Sequence, residues 1–112
     1  MDLQTMHESA RRALGPGDGY VARPSALEEL DTLTLALRGH LALLLPEVER
    51  TARLAPRGVQ SYCALACVDE ARRKLGIAQP SALEARVAHA RRLARSLNAL
   101  CQYYELLRRA VL

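Results

Sequence analysis

The chain has 112 residues, half of them apolar, a quarter charged and 4% aromatic, and every aromatic is Tyr. That is the size of one small domain, too apolar for a disordered tail. No apolar run approaches the roughly 20 residues of a membrane span, and Asp2 stands where a signal peptide needs basic residues, so a cytoplasmic chain with no membrane partner is expected.

Leu (21) and Ala (19) dominate, both strong helix formers, while β-branched residues are few. The net charge of +4 is uneven. Residues 1–56 hold six Arg against eight acids, giving −2, and residues 57–112 hold nine Arg and Lys74 against four acids, giving +6. The basic half is expected to meet the acidic half of its own chain before any external polyanion.

The first helix is predicted from about Asp2 to Leu14, with Leu3, Met6, Ala10 and Leu14 on one face. Gly15-Pro16-Gly17-Asp18-Gly19 then reads as a loop. Residues 1–23, this helix and its Gly-rich loop, are expected to be the mobile part of a single helical domain spanning 1–112. The second helix opens at Pro24-Ser25-Ala26-Leu27-Glu28, where Ser25 and Glu28 have capping-box spacing. Leu27, Leu30, Thr34, Leu37, Leu41, Leu44 and Val48 form a seam at spacings of three and four, widened by Leu33, Leu43 and Leu45. Pro46 removes a backbone donor mid-helix, so a kink is predicted near 42–46. The third helix spans about Val59 to Leu75, with Gly76 as its C-cap. The fourth starts at Pro80-Ser81-Ala82-Leu83-Glu84 and runs almost to Leu112. Leu83, Ala90, Leu97, Tyr104 and Val111 recur every seven, with Leu93, Leu100 and Leu107 between.

Pro-Ser-Ala-Leu-Glu occurs at both 24–28 and 80–84. Ala-Arg-Arg-x-Leu-Gly precedes each copy, at 10–15 and 71–76. The repeat reflects a duplication or a capping solution used twice. The predicted architecture is an all-α four-helix bundle built from two helical hairpins, with the second helix kinked at Pro46.

Catalytic signatures are absent: there is no phosphate loop, nucleophile elbow, His-Glu-x-x-His string or dinucleotide fingerprint. Cys63, Cys67 and Cys101 lie on or beside apolar stripes, so core packing is expected rather than a metal site with His40 or His89. No metal and no cofactor are expected. Arg38-Gly39-His40 places a helix-breaking Gly beside two polar side chains, and Glu47 lies two turns from His40, the spacing of an acid–base pair or a polar bundle edge. His89, Arg91, Arg92 and Arg95 make a basic cluster on the fourth helix, and Tyr104 could wall a pocket or an interface.

Leu33-Thr34-Leu35-Ala36-Leu37-Arg38-Gly39-His40-Leu41 with Leu44-Leu45-Pro46-Glu47-Val48-Glu49, Cys63-Ala64-Leu65-Ala66-Cys67-Val68, and Ala88-His89-Ala90-Arg91-Arg92-Leu93-Ala94-Arg95-Ser96 through Tyr103-Tyr104-Glu105 form a set of blocks. Together they resemble a family of small actinobacterial proteins known only as natural-product-biosynthesis proteins of unknown function. The resemblance spans about residues 25–107. It implies a role beside secondary metabolism and assigns no reaction.

The expected function is a non-catalytic interaction or regulatory helper, forming a homodimer or binding a protein partner. The candidate ligand or interaction residues are Arg38, His40, Glu47, His89, Arg92, Arg95 and Tyr104, and one alternative is a small-molecule binder or small enzyme near the Gly39/Pro46 break, where His40, Glu47 and Arg92 would converge with Tyr104 as a wall. The other, nucleic-acid binding by the fourth helix, is disfavoured because no aromatics interleave with its arginines.

Overall fold

The computed structural model describes residues 1–14 and 24–111. Four helices follow in order: α1 (Leu3–Leu14), α2 (Pro24–Leu54), α3 (Val59–Leu75) and α4 (Leu83–Val111). No strand occurs among the described residues. The Gly15–Gly19 loop and its expected mobility lie outside them.

α2 and α4 are the frame. A 31-residue helix is about 46 Å long, and the longest dimension of the molecule is 48 Å. The two long helices make the most extensive contact in the fold, and they run parallel. Asp31 pairs with Arg86 near their N-terminal ends, and Arg50 lies within electrostatic reach of Tyr104 toward the other. The short helices α1 and α3 fill the grooves on either side, and α4 touches all three others.

The predicted seams are the core. Leu37, Leu41 and Leu44 of α2 and their counterparts Leu93, Leu97 and Leu100 of α4 are fully buried. Each such Leu contributes roughly 1.5–3 kcal/mol of transfer free energy. Met6, Ala10 and Ala13 close one groove, and Ala64, Val68 and Ala71 the other. Small side chains at these positions let the helices approach closely. The buried hydroxyls are satisfied locally: Thr34 donates to the Leu30 carbonyl and Thr51 to that of Glu47.

Pro46 lies inside α2, which continues as one helix on both sides of it. Proline denies the Ala42 carbonyl its usual donor, but Ala42, Leu43 and Pro46 are all exposed, so water can take that place. Leu27 and Leu43 are exposed, whereas Leu33 and Leu45 join the core. α4 begins at Leu83, not Pro80. The Pro80 carbonyl instead accepts from Arg86 Nε at 2.8 Å, while Arg86 Nη1 and Gln79 both reach Asp31, which fastens the α3–α4 turn to α2. Val111 is exposed at the end of its seven-residue series.

Three helix ends are closed by local hydrogen bonds, of which the Gly76 cap was expected, while the Ser25 side chain of the Ser25–Glu28 capping box lies outside the described side chains. Asp2 accepts hydrogen bonds from the Thr5 backbone and hydroxyl, which holds its carboxyl below the usual range. Ser61 accepts from the Gly58 N–H and donates to the Gly58 carbonyl at the start of α3. Gly76 ends α3 with its N–H on the Arg72 and Arg73 carbonyls.

Candidate interaction surface

The seven singled-out residues divide into separate groups. Arg38 extends from α2 and donates to the Leu75 carbonyl at 2.7 Å, placing a cation on the negative end of α3. His89 is buried, 4% exposed, with Arg38 and Arg92 close enough to act on it electrostatically. Burial first, and then those two cations, push its pKa below the ordinary value of 6.5. Its Nε2 is buried without a hydrogen-bond partner, which disfavours a charged ring there. The basic cluster is therefore not one surface. His89 lies inside, Arg91 is half-buried with an unpartnered Nε, and Arg92 and Arg95 reach solvent.

His40 and Glu47 do not join. His40 Nε2 meets the Ser9 hydroxyl of α1 at 3.2 Å, and Glu47 accepts from Arg50 at 2.8 Å. Tyr104 carries Arg108 over its ring at 5.5 Å. Three open grooves occur among the described residues. They are lined around His7 and Arg11, around Ser9 and Glu28, and around Pro56 and Val59, with volumes of about 490, 350 and 250 Å³. None of the seven residues lines any of these three.

The cysteines also part company. Cys101 is buried, and burial pushes its thiol up to about 11, so it is an inert core residue. Cys67 is half-buried and shifted upward by the same cause. Cys63 is exposed, contrary to the core placement expected for it. No group of His, Cys, Asp and Glu suited to a metal ion exists among the described residues.

The two halves of the chain do meet through charge. Arg72 binds Glu49 at 2.8 Å, drawing the Glu49 carboxyl below its usual range, and Arg86 binds Asp31. His7, not singled out in the sequence, bridges α1 to α4 through Asn98 at 3.1 Å and Glu105 at 3.5 Å. Its partners lie more than 90 residues away, so no local spacing could have shown the arrangement.

What stands out is a surface. From Leu33 to Glu49 the exposed residues of α2 are Leu35, Gly39, Ala42, Leu43 and Pro46, all uncharged. Leu35 and Leu43 are 69% and 64% exposed. A Cβ built on Gly39 would meet nothing within 4 Å, so packing inside the chain does not require Gly there. A mid-helix Gly costs about 0.5–1 kcal/mol relative to Ala.

Fold and surface together define a small all-α bundle with an uncovered apolar helix face. Residues 4–109 match DUF6415, a family of unknown function, and the chain belongs to that family. No curated protein and no solved structure matches it.

Proposed function

We propose that this protein is a non-catalytic helical interaction module that engages protein through the outer face of α2. The observation that carries this reading is the uncharged exposed run from Leu35 to Pro46. A solvated helix face normally carries charged or polar residues, and a contiguous apolar one marks a contact surface. Helix faces of this kind bind other helices through anchors three and four residues apart. The resemblance of the sequence blocks to natural-product-biosynthesis proteins is what supports a role beside secondary metabolism. The separation of His40 from Glu47 weighs against an acid–base site at Gly39/Pro46. Nucleic-acid binding through α4 has less support still, because the exposed residues of α4 include no aromatic.

A photoreactive amino acid placed at position 43 in cells should crosslink to protein. The same group at position 95, on α4, should not. Absence of protein adducts at 43, with the chain folded and expressed, removes the proposal.

A further inference from the structure

The outer face of α2 is chemically palindromic, and we infer that it is the interface of an antiparallel homodimer in which α2 crosses α2 of a second copy. The inference rests on the interaction-module reading and names its partner. Glu28, Leu35, Gly39, Ala42, Pro46 and Arg53 all lie exposed on one stripe of the helix. A two-fold axis between His40 and Leu41 pairs them in sequence: Gly39 with Ala42, Leu35 with Pro46, Glu28 with Arg53. Small residues meet at the centre, apolar residues meet on either side, and an acid meets a base at each end. A two-fold interface must be self-complementary in this way.

The charges choose the direction. A parallel pairing sets Glu28 against Glu28 and Arg53 against Arg53. The antiparallel pairing sets each acid against a base, with exposed Arg50 beside it. The stripe from Glu28 to Arg53 is about 37 Å long at 1.5 Å per residue, enough for a sustained helix–helix contact.

The crossing point accounts for Gly39. Its missing side chain answers no contact within the chain. Opposite Ala42 of a second copy it lets the backbones approach, and Leu43 settles over the partner's glycine. The Ala42 carbonyl, denied its donor by Pro46, then faces the Gly39 Cα–H of the other copy, a contact common where helices cross closely.

Sedimentation equilibrium of the full chain at micromolar concentration and low salt tests this. The wild type should show twice the 12.3 kDa chain mass. Leu43→Glu and Gly39→Leu should each weaken the dimer about tenfold or more while keeping helical content, since both positions are open in the monomer. Glu28→Arg should weaken it, and adding Arg53→Glu should restore it. A monomeric wild type overturns the second copy as partner, while the crosslinks at position 43 judge the interaction reading separately. A dimer untouched by Leu43→Glu and by the charge swap overturns this interface.

Discussion

α2 and α4 are near-equals inside the bundle and opposites outside it. Both are about 30 residues long, and both bury an unbroken Leu seam. Their outer faces differ. α4 shows Glu84, Arg92, Arg95, Gln102, Arg108 and Arg109 to solvent, with apolar exposure confined to Leu106, Ala110 and Val111 near its end. On α2 the exposed positions from Leu33 to Pro46 are Leu35, Gly39, Ala42, Leu43 and Pro46, none of them charged, and charge returns only at Glu47, whose side chain is 37% exposed. Burying a seam makes a helix part of a fold. The chemistry of the opposite face decides whether that helix is finished or has a surface left to cover.

The largest expected effect tests the likeness inside. Leu41→Ala and Leu97→Ala remove fully buried side chains at matched seams. Each should cost about 2–5 kcal/mol by urea denaturation, and the two losses should be similar. A loss near zero at either site would show that its seam is not packed.

Gly39→Ala is smaller and opposite in sign. The added methyl finds open space, so the monomer should gain about 0.5–1 kcal/mol. The gain is best read in a Leu43→Glu background, where association does not contribute. A destabilised variant there would show that the chain itself uses the glycine.

His89 predicts a pH dependence seated in α4. Its folded pKa lies below 6.5, so the unfolded chain binds the proton more readily. The stability held by the neutral ring is present above pH 6.5. It falls as the pH drops below 6.5 toward the depressed folded value, because protonation then favours unfolding. Arg38 from α2 and Arg92 from α4 face the same ring and deepen the effect. His89→Gln should flatten the slope of stability between pH 5 and 7 relative to wild type. An unchanged slope would show that His89 does not carry the pH dependence.

The smallest expected effect is nil, and it sharpens the contrast outside. Arg92→Ala with Arg95→Ala removes two exposed cations from α4. The self-association constant should not move. A clear change would place α4, with its basic face, in the contact as well.

The seams were legible because period and burial share one cause. Leu30, Thr34, Leu37, Leu41, Leu44 and Val48 recur at three and four, and each is buried. The same pattern could not place Leu43 outside and Leu33 and Leu45 inside. Which flank of a wide stripe is covered depends on where α1 and α3 lie, and that is tertiary information. The start of α4 was misjudged for a similar reason. Pro80-Ser81 has the local chemistry of a cap, but Arg86 claims the Pro80 carbonyl and ties the turn to Asp31. Among candidate residues, spacing on one helix suggested that His40 and Glu47 share a side. It could not reveal that Ser9 and Arg50 are their partners. The uncovered face was present in the sequence as Leu35, Gly39, Ala42, Leu43 and Pro46. It emerged only once the opposite side of α2 was known to be full.

The bond between His7 and Asn98 spans 91 positions of the chain, and α1 packs mainly against α4. α1 therefore waits for its principal neighbour until α2 and α3 have been made and α4 follows. While the ribosome is still adding α4, the Met6, Ala10 and Ala13 face of α1 has no complete groove to enter. α2 and α3 can pair as they emerge, since their contacts are closer in sequence. The closing of the bundle is thus deferred until α4 has emerged, and the nascent chain carries exposed apolar surface on α1 until then.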